Sequence, residues 1–410
     1  MIAVLDMGSY LSEATAWPDW EDSGTVLIPH PAMREQVPAL LGALSRTDLP
    51  PAHLLVATSG STAPREGGVR LVALSLEAFL ASAVAVNAHL AAAPGDIWAH
   101  ALPVFHVGGL GILARARLSG SRVVAAVDQK WSAHRYHERV ASSGATLSAL
   151  VPSQIHDLAS AGLRAPSSLR AVVVGGARLD PSLYGAACAL GWPCLPSYGL
   201  TETCSQVATA RPGSAGEAYP NALPILPHAD LSLGPDGRIR VCASSLLTCY
   251  VSVDPASGTA HVDDPKRGGW FETEDLGRLH AGGIEILGRA DDMVKVLGEL
   301  VSLAAVEGAV GCWLDDAGHR RSLIADYAVV SLPHPRLGSE LVLAVVPAPG
   351  PGAGGLRARD LAAGLKGRLG PLECPSRLIV VDVIPRTALG KVRRARLADH
   401  CRYCRGSAII

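Results

Sequence analysis

The chain has 410 residues, which is long enough for two or three domains with buried cores. Its 36 lysines and arginines nearly balance its 37 aspartates and glutamates, which argues against a broad nucleic-acid-binding surface. No apolar stretch is long and polar-free enough for a membrane span, and the N-terminus lacks the basic region of a signal peptide, so we expect a cytoplasmic protein.

Apolar runs alternate with helical patterns in the first half of the chain. The runs fall at 53–58, 120–127, 146–151 and 169–174, and the stretch 73–93 is interpreted as a helix packed on a sheet. This alternation is typical of α/β folds with mainly parallel sheets flanked by helices. Ligands in such folds bind at the carboxyl ends of strands. We therefore expect functional residues after Thr58, after Val174 and near Tyr198.

The pattern changes after residue 223. Strand-like segments at 229–233, 237–241 and 283–287 alternate with turn residues, which indicates an antiparallel sheet or a small barrel. A helical pattern follows at 356–369. We predict a large N-terminal α/β domain, 1–287, with a compressed N-terminal part and a β-rich subdomain at about 223–287. A small mobile α+β domain, 288–410, would follow it.

A loop of small polar residues follows the first apolar run. Its hydroxyl and amide groups suit a phosphate, and glycine permits close approach of the backbone. Either Arg65 or Arg70 would then present a guanidinium fork to the outer phosphates. The segment does not match the Walker pattern, and an ordinary polar loop is the alternative. The loop residues are Thr58, Ser59, Gly60, Ser61 and Thr62.

Four more segments occur together and in order. They are Ser-Tyr-Gly-Leu-Thr-Glu-Thr at 197–203, Trp-Phe-Glu-Thr-Glu-Asp-Leu-Gly at 270–277, Gly-Arg-Ala-Asp-Asp-Met-Val-Lys at 288–295 and Pro-Arg-Thr-Ala-Leu-Gly-Lys at 385–391. With the polar loop, this set resembles the adenylate-forming superfamily of acyl-CoA synthetases, luciferases and peptide-synthetase adenylation domains. Residues 102–110 and 198–206 most resemble the o-succinylbenzoate–CoA ligases of menaquinone biosynthesis.

The resemblance implies an acid–thiol ligase that works in two steps. ATP, Mg²⁺ and a carboxylic acid would give an acyl-AMP and pyrophosphate, and a thiol would then displace AMP. The expected acid is o-succinylbenzoate and the expected thiol is coenzyme A. Two alternatives stay open: a stand-alone adenylating enzyme that loads a carrier protein, and a degenerate nucleotide-binding relative. A homodimer is also left open.

The resemblance assigns Lys391 and Glu202 to the chemistry. A carboxylate beside a phosphate is repulsive unless a cation lies between them, so Glu202 is the expected Mg²⁺ ligand, with Thr201 on the α-phosphate. A helix cap is the alternative for this pair. Lys391 would neutralise the charge that builds when the acid attacks the α-phosphate.

Other residues are assigned to the nucleotide. Tyr198 would lie against adenine, with Gly175, Gly176 and Ala177 as the opposite wall. Asp275 would accept the ribose hydroxyls. The remaining expected nucleotide contacts are Ser197, Gly199, Leu200, Arg289 and Lys295, of which Lys295 is equally well explained as a solvated lysine.

The acyl pocket and the hinge complete the expected site. His106 resembles the histidine that lines the acyl pocket and thiol tunnel, although a core histidine is an equal alternative. Gly108 and Gly109, together with Gly199 and Leu200, would let the substrate pass close to the backbone. Asp291 lies where the family has its hinge, about which the small domain would rotate.

Two features depart from the family pattern. The phosphate loop begins at residue 58, whereas family members usually have well over a hundred residues before it. An arginine would also have to replace the lysine that usually ends that loop. Glu274, beside the expected ribose ligand, has no explanation from the sequence.

Overall fold

The structure is a computed structural model that describes residues 2–4, 24–49, 51–57, 68–127, 130–254, 257–315, 323–348, 358–386, 392–403 and 407–409. The chain divides into two compact units. The first comprises residues 1–273 and 277–286, and the second comprises 274–276 and 287–410. The predicted domain boundary between residues 287 and 288 stays a prediction.

Within the described ranges, the strands of the first unit form three sheets. In chain order they are β1 (Ile2–Val4), β2 (Thr25–Ile28), β3 (His53–Ala57), β4 (Val69–Ser75), β5 (Ile97–His100), β6 (Arg122–Ala125), β7 (Leu147–Leu150), β8 (Ala171–Val174), β9 (Cys194–Gly199), β10 (Gln206–Thr209), β11 (Ala229–Leu233), β12 (Arg238–Ala243), β13 (Cys249–Asp254), β14 (Thr259–Asp263), β15 (Phe271–His280) and β16 (Gly283–Arg289), the last two of which include residues of the second unit.

The helices of this unit flank those sheets. They are α1 (Val37–Leu44), α2 (Leu76–Leu90), α3 (Val107–Ser119), α4 (Ala133–Ser143), α5 (Pro152–Ser160) and α6 (Pro181–Ala189). Side chains cap several of them: the Ser75 hydroxyl accepts from the amide of Ala78, and Asp180 accepts from the amides of Ser182 and Leu183.

One sheet has the order β10-β9-β8-β7-β5-β6, and all of its strands except β10 are parallel. Strand β8 is Ala-Val-Val-Val with every residue buried, as expected for a strand covered by helices on both faces. The carboxyl ends of β8 and β9 lie side by side because Val174 pairs with Pro196. The residues that follow these two strands are therefore neighbours.

The other six-stranded sheet has the order β1-β2-β3-β4-β13-β14. Its first three strands are parallel, whereas β3–β4, β4–β13 and β13–β14 are antiparallel. Strands β11, β12, β15 and β16 form a separate four-stranded sheet, which agrees with the predicted β-rich region. The fold class is confirmed, although the six-stranded sheet β1-β2-β3-β4-β13-β14 is mixed rather than mainly parallel.

One element prediction needs correction. The predicted helix at 73–93 begins only at Leu76, because residues 73–75 are the end of strand β4, where Ala73 pairs with Leu55. Alanine and serine have no strong strand preference, so the pairing partner rather than local sequence decides their conformation.

The second unit has its own core. Its strands are β17 (Met293–Val296), β18 (Glu299–Ser302), β19 (Ile324–His334), β20 (Gly338–Pro347), β21 (Arg377–Val380) and β22 (Ser407–Ile409), and its helices are α7 (Leu303–Asp315), α8 (Ala358–Leu365) and α9 (Arg394–Tyr403). A short 3-10 helix, Ala290–Asp292, precedes β17. Residues of α7, β19 and β20 pack together in one buried cluster.

No helix within the described ranges has both the length and the apolar content needed to cross a bilayer.

Candidate nucleotide and acyl site

The carboxyl ends of β8 and β9 bring together several predicted nucleotide contacts. The Ser197 hydroxyl donates to the Val174 carbonyl oxygen at 3.0 Å, and a Cβ placed on Gly175 would lie 2.9 Å from the Ser197 oxygen. Tyr198 is 7% exposed, whereas Gly176 and Ala177 are exposed. A mostly buried aromatic side chain near small exposed residues is an arrangement that can accept a planar base.

A tight turn follows β9. Thr201–Thr203 form a 3-10 turn, and the buried Thr203 hydroxyl accepts from the Leu200 amide at 2.9 Å and donates to the Ser205 carbonyl at 2.7 Å. Gly199 closes the turn, since any Cβ there would collide with the Ser205 carbonyl. The glycine of this motif is therefore required by the backbone itself, whatever ligand approaches it.

Glu202, the expected magnesium ligand, has a defined partner. The Tyr250 hydroxyl donates to its carboxylate at 2.9 Å, and the Leu247 amide donates to its backbone carbonyl at 2.7 Å. Tyr250 lies on β13 and Glu202 in the turn after β9, so two different sheets fix this carboxylate. One oxygen is used by Tyr250, and the carboxylate is only half-buried.

Arg70 lies on strand β4 rather than in the preceding loop. Its guanidinium carbon is 4.8 Å from the centre of the Tyr250 ring. A cation over an aromatic face is an attractive arrangement. Arg70 therefore contacts the side chain that holds Glu202.

His106 lies at the N-terminus of α3 in an aromatic group. The Phe105 and His106 rings are 4.6 Å apart, and the His30 ring is 4.8 Å from Phe105 and 6.1 Å from His106. His106 is an exposed residue, yet partial burial of its ring lowers its pKa, and the neighbouring His30 lowers it further. Both effects favour a neutral imidazole near pH 7.

Gly108 and Gly109 lie in the first turn of helix α3, after His106. A Cβ on Gly109 would collide with the carbonyl of Pro103, and one on Gly108 would lie 3.2 Å from a Leu102 methyl group. Gly109 is buried. Close packing against residues 102–103 explains Gly109 before any substrate is considered.

Arg115 is a buried cation that the sequence analysis missed. It lies on α3, is 1% exposed, and donates to the Ser205 hydroxyl at 2.7 Å. Its guanidinium carbon is 5.8 Å from the Trp98 ring centre. Burial lowers its pKa to about 10. Within the described part of the chain it has no carboxylate partner and its Nε atom has no hydrogen-bond partner, which is a costly state for a buried charge.

In the second unit, three predicted residues form a chain of charges. Arg289 donates to Asp291 at 2.9 Å and lies 3.7 Å from the Asp275 carboxylate. Burial opposes the charge of Arg289, but its hydrogen bond to Asp291 and the charges of Asp291, Asp275 and Asp292 raise its pKa on balance. Asp275 is 6% exposed, whereas Lys295 is exposed on β17. The expected ribose ligands and the expected hinge acid are thus in contact.

Several predicted residues lie outside the described residues. They are Lys391, Arg65, Thr58, Ser59, Gly60, Ser61 and Thr62.

The described residues fit a metal that arrives with a nucleotide. Among them, no group of three or more histidine, cysteine, aspartate or glutamate side chains could hold a metal ion. A single carboxylate is nevertheless what Mg²⁺ needs when phosphate oxygens and waters supply its other ligands. A single carboxylate such as Glu202 is therefore compatible with a magnesium ion that arrives with ATP.

Two family models match the chain. The AMP-binding enzyme model matches residues 35–238, and the model of the AMP-binding enzyme C-terminal domain matches residues 315–391. A probable 2-succinylbenzoate–CoA ligase of Mycobacterium tuberculosis is 32% identical over 364 residues, which cover 84% of this chain and 83% of that protein. The chain therefore belongs to the AMP-binding enzymes, and the resemblance inferred from its motifs is confirmed.

A second relative and a solved structure extend these comparisons. An indoleacetate–CoA ligase of Aromatoleum aromaticum is also 32% identical, over 83% of this chain and 66% of that protein. The structure of o-succinylbenzoate CoA synthetase from Bacillus subtilis with ATP and magnesium superposes with a TM-score of 0.69 at 24% identity, covering 96% of this chain and 82% of that one. The prediction of an acid–thiol ligase is confirmed by the family and by these CoA ligase relatives.

Arg115 and Tyr250 could hardly have been found from sequence. Arg115 lies on a mainly apolar helix that also carries Arg117, and the sequence does not show which of the two is buried. Tyr250 lies on a strand of alternating burial, which a surface aromatic residue would also fit. Their importance comes from contacts with residues 90 and 48 positions away.

Proposed function

We propose that this protein is an ATP-dependent carboxylate–CoA ligase and that its acid is o-succinylbenzoate. The first step joins the acid to AMP with release of pyrophosphate. In the second step the thiol of coenzyme A attacks the acyl carbon and AMP leaves. The proposal is supported by the family, by the site at the ends of β8 and β9, and by the buried Arg115.

The residues in the first unit would bind and orient the nucleotide. Tyr198 offers a ring for adenine, and Glu202 offers a carboxylate fixed by Tyr250. Magnesium bound there would neutralise the phosphates. In the second unit, Asp275 would accept the ribose hydroxyls, with Arg289 beside it. Lys391 would neutralise the charge that develops as the acid attacks the α-phosphate.

The observation that carries the choice of acid is the uncompensated charge of Arg115. Two relatives of equal identity differ in their named acids: succinylbenzoate has two carboxylates and indoleacetate has one. A diacid leaves one carboxylate unreacted, and that group needs a cation or several donors in the pocket. Arg115 is a buried cation without a carboxylate partner in the described part of the chain, and it bonds Ser205 in the segment after Glu202.

The thiol and the location belong to the same proposal. Coenzyme A is the thiol named for the relatives, and a phosphopantetheinyl carrier protein is the alternative. We infer a cytoplasmic location because ATP and coenzyme A are cytoplasmic metabolites. A homodimer stays a prediction.

The experiment is acid-dependent exchange of labelled pyrophosphate into ATP, followed by thioester formation. The acids are o-succinylbenzoate, two analogues that each lack one carboxylate (4-oxo-4-phenylbutanoate and 2-butanoylbenzoate), and indoleacetate. We expect exchange to be fastest with the diacid, and CoA to discharge the adenylate. Faster exchange with indoleacetate would refute the assigned acid. Discharge of the adenylate only by a carrier protein would refute the assigned thiol. The absence of acid-dependent exchange with all of these acids would refute the proposed ligase.

A further inference from the structure

The two ends of the segment that carries Lys391 are joined in the second unit. Arg386 and Val392 form an antiparallel bridge, and the Arg393 amide donates to the Pro385 carbonyl at 2.7 Å. Arg386 also binds Asp326 on β19 through two hydrogen bonds of 3.0 and 2.6 Å. The residues on both sides of 387–391 are thus fixed to each other and to a core strand.

Arg394, three residues after Lys391, makes a denser set of contacts. It donates to Asp292 at 2.6 Å, to both oxygens of Glu307 at 2.5 and 2.9 Å, and to the Val329 carbonyl at 2.7 Å. All three charged side chains are largely buried, with exposures of 18% for Arg394, 14% for Asp292 and 21% for Glu307. Burial opposes the charge of Arg394, but Glu307 and Asp292 raise its pKa on balance.

These contacts join three parts of the second unit at one guanidinium. Asp292 belongs to the 3-10 turn of the expected hinge, Glu307 lies on α7, and Val329 lies on β19. The Glu307 carboxylate also accepts from the Val329 amide at 2.7 Å. A planar fork with five donors can hold such a set, whereas a lysine cannot.

The adjacent hinge acids face different partners. Asp291 binds Arg289, which lies beside the expected ribose ligand Asp275, whereas Asp292 binds Arg394 beside the segment of the expected catalytic lysine. The 3-10 turn therefore contacts Arg289, beside the expected ribose ligand, through Asp291. Through Asp292 it contacts Arg394, which follows the Lys391 segment.

We propose that Arg394, held by Asp292 and Glu307, is a positioning residue that fixes the base of the Lys391 segment to the hinge turn, so that the lysine reaches the α-phosphate in acyl-adenylate formation. The inference rests on the proposed function and assigns Arg394 a role in its first step alone. Arg394 acts through Lys391, so its loss should slow adenylation while the thiol step from supplied acyl-AMP is retained.

The test measures the two half-reactions separately in Arg394→Gln, in Arg394→Lys and in Lys391→Ala. We expect Arg394→Gln to lower kcat for adenylation about 10- to 100-fold, with the KM for ATP and the rate of thioester formation from acyl-AMP changed by no more than about threefold. Arg394→Lys should recover only part of the rate. Lys391→Ala should lose adenylation further with the same sparing of the thiol step. Equal losses in both half-reactions, or no loss, would overturn the proposal.

A matched control variant and a double-mutant cycle make this test more specific. Arg396→Gln removes an exposed arginine from the same helix and should leave both half-reactions unchanged. Asp292→Asn should show the same selective loss as Arg394→Gln, and the double variant should be no worse than Arg394→Gln alone, because both changes break one contact. Additive losses would show that the two residues act separately and would refute the proposed positioning role of Arg394.

Hydrogen exchange separates failure of this inference from failure of the proposed function. Arg394→Gln should speed exchange of the Arg393 amide, which bonds Pro385, and leave the amides of β20 unchanged. If the wild-type protein showed no acid-dependent pyrophosphate exchange, the proposed function would fail. Hydrogen exchange of the Arg393 amide would still show whether Arg394 fixes the ends of the Lys391 segment. An unchanged rate of hydrogen exchange at this amide in Arg394→Gln would overturn that role.

Discussion

The hydroxyl of Tyr250 donates a hydrogen bond to the carboxylate of Glu202 over 2.9 Å, across 48 residues of sequence. Glu202 is the carboxylate expected to hold magnesium, and Tyr250 is a strand residue with no assigned role in the motif analysis. The bond fixes the orientation of the carboxylate that is expected to hold the metal. A hydrogen bond to a charged acceptor contributes about 1.5–3 kcal/mol.

Tyr250→Phe should therefore weaken the use of magnesium. The unfixed carboxylate loses its orientation, and we expect the Mg²⁺ concentration for half-maximal pyrophosphate exchange to rise about tenfold, with a smaller change at saturating Mg²⁺. The measurement is a magnesium titration at fixed ATP.

Tyr136→Phe is the matched control for that titration. Tyr136 is fully buried in the same unit and donates to Ser148 at 2.8 Å, away from Glu202. It should alter stability without altering magnesium dependence. An identical magnesium curve for Tyr250→Phe and wild type would contradict the assigned role of the hydroxyl.

Gly199→Ala should disrupt the turn that carries Thr201 and Glu202. The new Cβ would meet the Ser205 carbonyl, so the turn must shift, at a cost of about 1–3 kcal/mol in unfolding free energy and a loss of at least tenfold in exchange rate. Gly185→Ala is the control, because its Cβ would enter open space in helix α6 and should stabilise the protein by about 0.5–1 kcal/mol. Wild-type activity in Gly199→Ala would show that the turn tolerates the shift.

Asp96 should give the first unit a stability that depends on pH. Arg170 holds its pKa at about 2, below the usual 3.8, with help from Thr146 and the Ala93 amide against an opposing effect of burial. The folded-state pKa is lowered, so the stabilisation is complete above about pH 4.5 and is lost as the pH falls towards 2. Because Arg170 is 36% exposed, screening reduces the expected cost of Asp96→Asn to about 1–2 kcal/mol.

Urea unfolding from pH 7 to pH 3 would check this stability. The gap in unfolding free energy between wild type and Asp96→Asn should stay constant down to about pH 4.5 and narrow below it. Asp399→Asn, which removes an exposed partner of Arg402, should stay within about 0.5 kcal/mol of wild type throughout. A gap that did not narrow in acid would rule out the ion pair as its source.

Arg115→Lys should lower kcat/KM for the diacid more than kcat/KM for an acid with one carboxylate. Lysine keeps the charge but loses the fork that can bind a carboxylate and Ser205 together. We expect kcat/KM for o-succinylbenzoate to fall about 10- to 100-fold and that for a single-carboxylate analogue to change less than about threefold. Equal losses for both acids would mean that Arg115 serves the core alone.

The sequence was a good guide to features that depend on neighbouring residues. The strand Ala171–Val174 is recognisable because three valines buried on both faces leave no polar alternative, and the segment 197–203 carries its turn residues together. The bond between Tyr250 and Glu202 has no such local signal, because it depends on how two separate sheets pack.

Charge was the least predictable property. Residues 391–396 contain four basic side chains that look alike in sequence, yet Arg394 is largely buried between two acids whereas Arg393 and Arg396 are exposed. Helix α9 begins at Arg394, and the position of α7 and the hinge turn decides which arginine meets carboxylates. Arg115 is similar, since only the packing of α3 against Trp98 and Ser205 shows that its charge is buried.

The most direct test of the acyl-adenylate follows the acid's own oxygen. With o-succinylbenzoate labelled with ¹⁸O in its carboxylates, one turnover with ATP and CoA should place one ¹⁸O in AMP and none in pyrophosphate, because the acid oxygen attacks the α-phosphate and stays with AMP when the thiol displaces it. Label found instead in orthophosphate, with ADP as the nucleotide product, would contradict the account.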